Sequence, residues 1–159
     1  YFVQRYTDMI DYNGTTWKYY NADGEISNRG VEVSSVIKFA EIVKISYGYT
    51  FFDYTKTTNT AILKRPAHKH SASVTYSPFT GLDITGAYLY VAKRYDYLTS
   101  TTNVRLEPYS KFDMNIRYSV NEMLTFTARG ENLTNADYME TYGYNTKGRS
   151  YYGGLEVVL

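Results

Sequence analysis

The chain has 159 residues, a net charge of +1 from 17 basic and 16 acidic side chains, and no cysteine, which excludes a disulfide scaffold, thiol chemistry and the strongly basic surface of many nucleic-acid-binding proteins. Twenty tyrosines help to bring the aromatic fraction to 18%, and Tyr suits a boundary between an apolar phase and water better than a close-packed core. No run approaches the roughly 18 consecutive apolar residues of a membrane helix. If the chain crosses a membrane, it therefore crosses with strands.

Alternation of apolar and polar residues with a period of two predicts β-strands along nearly the whole chain. In chain order, we predict eight strands at about 1–11, 25–38, 41–54, 68–77, 82–96, 109–120, 123–134 and 149–159. The stretch "VKISYGYTF" shows the pattern most clearly, because apolar or aromatic residues alternate there with small or polar ones. Most predicted strands therefore have one apolar face and one polar face.

The predicted connections alternate between long and short. The long ones cover residues 12–24, 55–69, 96–108 and 135–148, and the short ones fall at 39–40, 77–81 and 121–122. Outer-membrane barrels have long extracellular loops and short periplasmic turns, whereas a Greek-key sandwich mixes its connection lengths. We therefore expect the apolar rows to face lipid and the polar rows to face a wet lumen.

Three stretches carry a more specific signal: "SNRGVEVSS", "LKRPAHKHSASVTY" and the closing "RGENLTNADYMETYGYNTKGRSYYGGLEVVL". Their residues, order and spacing resemble the C-terminal barrel region of TonB-dependent outer-membrane receptors, within the cobalamin and ferric-siderophore receptor group. The matching positions are Gly30, Val31, Glu32, Arg65, Pro66, His68, Glu131, Asn132, Leu133, Tyr138, Gly143, Tyr144, Gly148 and Arg149. The end of the chain departs from the family pattern, since Leu159 and Val157 stand where aromatic residues are usual.

The resemblance implies an all-β fold, an antiparallel up-and-down transmembrane β-barrel of 22 strands, to which residues 1–159 contribute about eight C-terminal strands. The chain begins directly on a strand-like segment, so we expect the N-terminal plug domain and the TonB-binding box in missing sequence. The implied location is the bacterial outer membrane. The implied function is TonB-dependent transport of a scarce nutrient, with this segment supplying barrel wall and extracellular loops.

The same resemblance implies the partners. They are the plug and remaining strands of the receptor, TonB through the missing N-terminal part, outer-membrane lipid, and a cobalamin or ferric-siderophore ligand. Nucleic acid is not among them. The stretch "ETYGYNTKGRSY" favours cobalamin mildly over a siderophore.

Aromatic residues in the predicted long loops are candidates for contact with a bulky planar ligand. They are Trp17, Tyr19, Tyr20, Tyr142 and Tyr144. An aromatic girdle at the membrane interface, or packing between loops, accounts for most of them as well. We favour ligand contact for Tyr142 and Tyr144, because we expect their loop to border the mouth of the barrel.

By the alternation, six charged residues face the lumen, where the plug would lie. They are Glu32, Lys93, Asp113, Arg117, Arg129 and Glu131. Contact with the plug and pairing across strands are both open for them.

Metal binding and catalysis find little support. His68 and His70 project from one side of a strand, as a metal site requires, but no third ligand is evident nearby. Carboxylates near the bases of the first loop lack the dense spacing of a calcium loop; they are Asp8, Asp11, Asp23 and Glu25. Without a nucleophile motif or a Gly-rich phosphate loop, we predict no enzyme, no metal site and no cofactor.

Two alternatives to a receptor segment stay open. A self-contained eight-stranded outer-membrane barrel with a structural or adhesive role fits the even strand number, although its narrow lumen needs bulkier side chains than the small residues of the polar rows. A soluble β-sandwich that binds carbohydrate through its tyrosines would also alternate, and it would behave as a monomer without detergent.

Overall fold

The computed structural model describes residues 1–56, 63–99 and 102–158 of the chain. These residues form the strands β1 Phe2–Asn13, β2 Lys18–Phe39, β3 Val43–Lys56, β4 His68–Phe79, β5 Leu82–Val91, β6 Arg94–Tyr97, β7 Asn103–Leu106, β8 Tyr109–Ser119, β9 Leu124–Glu131 and β10 Ser150–Val157. The part of the chain that the structure describes has no helix of the length and apolar character that a membrane crossing requires.

Eight of the strands form one antiparallel sheet in the order β1-β2-β3-β4-β5-β8-β9-β10. The other two, β6 and β7, form a separate hairpin between β5 and β8. The sheet is not closed on itself, and β1 and β10 are its edges. The predicted all-β antiparallel architecture is thus confirmed, and the strand count of a complete barrel stays a prediction.

The strand register sorts the side chains onto two faces of the sheet. Ser46, Ser73 and Ala87 are successive partners across β3, β4 and β5, and the face on which they lie is called the polar face below. Ile45 and Val74 are partners one position away and lie on the opposite, apolar face. Because neighbouring residues of a strand point to opposite faces, the register keeps polar and apolar rows apart across several strands.

The apolar face is exposed rather than packed against a second layer. Ile37 is 50% exposed, Phe126 48% and Leu155 62%. A soluble sandwich buries such rows between two facing sheets. Across the described ranges no second sheet covers this face, which argues against the sandwich alternative.

The two ends of the sheet differ in their connections. At the turn end, residues 40–42, 80–81 and 120–123 link consecutive strands tightly. At the opposite end, called the loop end, the longer connections include residues 92–108 and 132–149. The predicted alternation of connection lengths therefore holds for these five connections.

The long first connection predicted at 12–24 is wrong. β1 and β2 remain paired up to a turn of only four residues, 14–17. The side-chain oxygen of Asn13 accepts hydrogen bonds from the backbone N–H groups of Thr15 and Thr16 at 2.9 and 3.0 Å. Such Asx-type bonding stabilises a tight reversal, so the polar composition of this stretch indicated a turn and not a long loop.

The predicted strand at 82–96 also ends early, at Val91. Its partner β8 begins at Tyr109, directly after Pro108, which has no N–H to donate. Residues beyond Val91 therefore have no partner strand on the β8 side, and the chain leaves the sheet. Lys93 lies outside the strands, so the alternation that assigned it to the lumen does not apply.

The turn between β2 and β3 is centred one position later than predicted. Ala40 and Glu41 both have positive φ, 45° and 59°, and the Ile42 N–H donates to the Phe39 carbonyl oxygen at 3.0 Å. Positive φ at both central residues is what the type I′ turn requires, and this turn suits the twist of a hairpin. Neither residue is Gly or Asn, the residues that normally mark positive φ, so the alternation predicts a turn here but not its exact position.

Candidate functional site

Charged residues of the polar face pair with one another along the sheet. The pairs are Lys111 with Asp113 at 3.0 Å, Arg117 with Glu156 at 3.3 Å, and Arg129 with Glu131. Four of the six charges predicted to face the lumen take part. Exposed pairs of this kind contribute only about 0–1 kcal/mol each, but they leave these four side chains compensated by their neighbours.

Glu32 also lies on the polar face, opposite Thr50 of β3, and is exposed. Near it, small residues make the face shallowly concave; they include Ser34, Ser46, Gly48, Ser71 and Ser73. A Cβ atom at Gly48 would lie 2.7 Å from the Ser71 hydroxyl oxygen, so a larger residue there would displace that hydroxyl. Small residues leave free space on this face, so the wall does not fill its own interior within the described residues.

A cluster of contacting side chains around three buried residues, Arg94, Asp96 and Tyr109, lies at the loop end, where three connections meet. We call it the rim cluster; its members are Lys64, Arg94, Asp96, Tyr109, Tyr138, Met139, Glu140 and Tyr142. Most of the few well-buried side chains among the described residues lie in it or next to it, including Val91 and Leu106. Residues from β6, β8 and the last loop thus share one small core.

Asp96 is the most buried charged residue of the rim cluster, with 2% of its surface exposed. Its Oδ1 accepts a hydrogen bond from the Tyr97 backbone N–H, and its Oδ2 accepts one from the Tyr142 backbone N–H, both at 2.8 Å. The Lys64 ammonium lies 3.6 Å from Oδ1, and the Lys64 N–H donates to the Tyr95 carbonyl oxygen at 2.7 Å. One carboxylate therefore contacts three segments of the chain.

Burial and hydrogen bonding act in opposite directions on this carboxyl group. Burial alone raises the pKa of Asp96, but the N–H groups of Tyr142 and Tyr97 and the ammonium of Lys64 lower it, and the net pKa lies below the ordinary value of 3.8. Asp96 is therefore a carboxylate at neutral pH, and its interactions are charge-assisted.

Arg94 and two stacked rings complete the rim cluster. Arg94 Nη2 donates to the Met139 carbonyl oxygen at 2.5 Å, and the guanidinium carbon lies 5.5 Å from the centre of the Tyr109 ring. Tyr109 stacks on Tyr138 with ring centroids 4.0 Å apart and donates to Glu140 at 3.2 Å. Because Tyr109 is the first residue of β8, these contacts fasten the last loop to the sheet.

Asn132 fixes the start of the last loop. It is 2% exposed and has a φ of 48°. Its Oδ1 accepts from the Ala136 N–H at 2.9 Å and from the Thr134 hydroxyl at 3.3 Å, and its Nδ2 donates to the Ala136 and Lys147 carbonyl oxygens at 2.9 and 3.3 Å. The side chain therefore links both ends of the loop, since Lys147 lies just before β10.

The other positions of the closing motif are local supports of the same loop. The Leu133 side chain covers Gly130, where a Cβ would lie 2.7 Å from it. Asn135 accepts from the Arg149 backbone N–H at 3.1 Å, and a Cβ on Gly148 would lie 3.3 Å from the same Asn135 oxygen. Gly143 has a φ of 80°, which favours glycine. These positions of the motif are explained by loop closure, without reference to a ligand.

The motif positions around Gly30 have a different structural reason. Gly30 lies between Phe2 and Phe52 in the register, and these two rings meet edge to face at 5.2 Å. A Cβ on Gly30 would lie 2.2 Å from the Phe51 carbonyl oxygen and 2.6 Å from the Phe2 ring. The Arg65 guanidinium lies 6.0 Å from the centre of the Phe52 ring, and Pro66 follows it, half-buried, at the loop end.

The five predicted ligand-contact aromatics fall into two separate groups. Trp17, Tyr19 and Tyr20 lie on the β1–β2 hairpin, at one edge of the sheet, and Tyr142 and Tyr144 lie in the loop before β10, at the other edge. Across the described strands the two groups do not come together. Trp17 is 79% exposed and Tyr144 73%.

Two aromatic residues at the loop end escaped the sequence analysis. Tyr95 and Tyr97 lie on β6 and are exposed, whereas Arg94 and Asp96, which alternate with them, are buried. The alternation of this short strand is a usable signal, but the predicted strand at 82–96 absorbs Tyr95 and the predicted connection at 96–108 contains Tyr97.

His68 and His70 lie on the apolar face within a group of aromatic rings. His68 Nδ1 is 2.9 Å from the Tyr49 hydroxyl, and His70 Nδ1 is 2.9 Å from the Tyr47 hydroxyl. His70 also lies 5.8 Å from the Tyr90 ring. Both histidines are thus members of an aromatic belt of the kind found at membrane interfaces.

The described residues include no group of three or more His, Cys, Asp or Glu that could hold a metal ion. Among the carboxylates considered for calcium, Glu25 lies 3.6 Å from Arg5. The side chains of Asp11 and Asp23 lie outside the described part, as does Leu159.

The sheet has the features of a transmembrane β-barrel wall. It is antiparallel, one face is exposed, apolar and aromatic, and the other is polar and carries ion pairs. Tight turns lie at one end and longer loops at the other. Residues 1–133 match the family described as "TonB dependent receptor-like, beta-barrel". The chain belongs to this family, whose members are β-barrel proteins of the bacterial outer membrane.

Curated and solved relatives agree with this assignment. The chain is 33% identical over 149 residues to a vitamin B12 transporter, BtuB, of Vibrio cholerae serotype O1, covering 91% of this chain and 24% of the relative. Its structure resembles that of the ferric-catecholate import receptor Fiu of E. coli K12, with 18% identity, a TM-score of 0.76, and coverage of 98% and 24% of the two chains. FpvA of P. aeruginosa bound to a pyoverdine gives 13% identity, a TM-score of 0.78, and coverage of 96% and 23%.

The chain therefore spans about a quarter of the length of these relatives. At 18% and 13% identity, the two structures show the fold and not the ligand. These relatives are transporters and receptors and not enzymes.

Proposed function

We propose that this chain is the wall-and-loop part of an outer-membrane receptor that transports a scarce nutrient in a TonB-dependent manner. Residues 1–159 form one barrel segment, about eight strands of a 22-stranded barrel, and a plug domain rests against the polar face. TonB engages the part of the receptor that carries the plug. The family match over residues 1–133 is the observation that carries this proposal.

The ligand is cobalamin, with a ferric siderophore as the second candidate. Cobalamin is supported by the 33% identity to a vitamin B12 transporter. The siderophore is supported by the likeness in fold to the ferric-catecholate receptor, which is a weaker argument at 18% identity. In either case the ligand is bulky, and the corrin ring of cobalamin or the catecholate rings of a siderophore offer planar faces that exposed aromatic side chains of the loops can contact.

The two groups of loop aromatics have different roles in this proposal. Tyr142 and Tyr144 contact the ligand, because their loop is folded against the sheet and so presents them in a fixed arrangement. Trp17 and Tyr19 lie on an extended hairpin at the other edge of the sheet, and they contribute less.

The test uses the complete receptor in outer-membrane vesicles and measures equilibrium binding of labelled cyanocobalamin and of a labelled ferric tris-catecholate. We expect binding of one of them, weakened by Y142A/Y144A and changed little by W17A/Y19A, which removes the same number of exposed rings. A receptor that binds neither compound, and whose deletion leaves the uptake of both unchanged, refutes the proposed ligands.

A further inference from the structure

The short β6–β7 hairpin has two different faces. Arg94 and Asp96 point to one side and are 5% and 2% exposed, while Tyr95 and Tyr97 point to the other side and are 43% and 58% exposed. A four-residue strand has little burial to stabilise it by itself. Its buried face must therefore gain stability from the segment that it covers, which is the last loop.

The contact from Asp96 to the last loop is made to the backbone. Asp96 Oδ2 accepts from the Tyr142 N–H at 2.8 Å, while Oδ1 is occupied by the Tyr97 N–H and faces the Lys64 ammonium. A bond to a backbone amide restrains the peptide group of that residue and so limits where its side chain can lie. Asp96 thus sets the position of Tyr142 and limits that of Tyr144, two residues further on.

Arg94 makes a second contact from the same face of β6. Its Nη2 donates to the Met139 carbonyl oxygen at 2.5 Å, three residues before Tyr142. Its Nη1 is buried and has no hydrogen-bond partner among the described residues. Burial of a charged donor without a partner is costly, so the contacts of Nη2 with the Met139 carbonyl oxygen and of the guanidinium with the Tyr109 ring must offset part of that cost.

We propose that Asp96 is a positioning residue for ligand capture: it holds the β6–β7 hairpin and the last loop as one unit, so that Tyr95 and Tyr97 on the first and Tyr142 and Tyr144 on the second keep fixed positions relative to one another. The role in capture rests on the proposed function. The coupling of the two segments does not depend on it, and the two parts have separate readouts.

The first readout is hydrogen exchange of the complete receptor in detergent, with D96N as the variant. Asn retains one carbonyl acceptor but loses the charge, and its NH₂ group cannot accept from a backbone N–H. We expect amide exchange in a peptide covering 138–147 to accelerate roughly 10- to 100-fold, while β10 is unchanged. Equal exchange rates in D96N and the wild type overturn the coupling.

A matched control removes a different carboxylate of the same wall. Asp83 accepts a hydrogen bond from the Ser77 hydroxyl at 2.5 Å at the turn end of the sheet. D83N removes the same charge far from the rim cluster and should leave exchange in 138–147 unaltered. If D96N does not reach the membrane, R94M replaces it, because loss of the contact to the Met139 carbonyl oxygen must also release the last loop.

The second readout is binding of cyanocobalamin and of a ferric tris-catecholate to the same variants. We expect D96N to weaken the affinity of the bound compound about tenfold or more, with the number of binding sites unchanged, and D83N to bind as the wild type does. Faster exchange without a change in affinity overturns the role in capture and keeps the coupling. If the wild type binds neither compound, the proposed ligands are wrong, and the exchange result still decides the coupling.

Discussion

Replacing Asn132 with Ala is expected to release the last loop from the sheet. The side chain makes four hydrogen bonds, two of them as acceptor and two as donor, and it is 2% exposed. Ala removes all four and leaves the Ala136 N–H, the Ala136 carbonyl oxygen and the Lys147 carbonyl oxygen without these partners. It also places an alanine at a φ of 48°, where Ala lacks the side-chain hydrogen bonding that lets Asn adopt such a value.

The magnitude follows from these terms. A hydrogen bond of this kind contributes about 0.5–1.5 kcal/mol net, and the two at 3.3 Å lie at the weak end of that range. The positive φ costs Ala about 1–2 kcal/mol. Because the loop is at the surface and water can replace part of the lost bonding, we expect N132A to destabilise the closed loop by about 3–4 kcal/mol, which corresponds to roughly a few hundredfold in its opening equilibrium.

N132G separates the two contributions, since Gly adopts positive φ freely but also lacks the side chain. We expect N132G to recover about 1 kcal/mol relative to N132A. The assay is hydrogen exchange of the complete receptor, followed at the amides of Ala136 and Arg149. Wild-type exchange rates in N132A would refute the reasoning, and a uniform acceleration along β9 and β10 would show that Asn132 stabilises the sheet and not the loop.

Three further predictions concern other parts of the chain. Gly30→Ala should lower the free energy of unfolding of the receptor in urea by about 1–3 kcal/mol, because the added Cβ overlaps the Phe51 carbonyl oxygen. Equal unfolding midpoints contradict this. Glu41→Gly should raise the free energy of unfolding in the same assay by about 1 kcal/mol, since Glu41 has a φ of 59°. A lower unfolding midpoint shows that the Glu41 side chain stabilises the turn. The lowered pKa of Asp96 means that its contribution is present above the ordinary value of 3.8 and is lost as pH falls through the lower folded-state pKa. Exchange protection of 138–147, corrected for intrinsic rates, should therefore stay constant from about pH 5 to 8 and fall only below about pH 4, with D96N lacking that acid step.

The sheet was predictable from the sequence because its signal is repeated. Alternation over about ten residues per strand assigns the apolar residues to one face of the sheet and the polar residues to the other. Each of the eight predicted strands overlaps a strand of the observed sheet. The errors occurred where local sequence does not determine pairing. The end of β5 depends on Pro108, seventeen residues further along, because that residue decides where the partner strand can begin.

The turns also show that local sequence does not determine strand pairing. The 14–17 turn is closed by one side chain, Asn13, within a stretch whose polar and aromatic composition is also typical of a long loop. Ala40 and Glu41 form a turn without any of the residues that normally favour positive φ. In both places the pairing of long flanking strands overrides local preference, since extending β1, β2 and β3 adds many backbone hydrogen bonds.

The rim cluster was not predictable for a further reason. Its bonds join residues far apart in sequence, Asp96 to the backbone at 142 and Arg94 to the backbone at 139, and a backbone acceptor or donor leaves no trace in the amino acid that carries it. The resemblance in the closing motif identified these positions but not their structural role. Asn132 and its neighbours close the last loop. A barrel wall needs only alternation, whereas a loop that presents side chains to a ligand needs buried polar contacts to keep its shape without a core. The buried charges Arg94 and Asp96 lie where such contacts are needed, at the loop end beside the last loop.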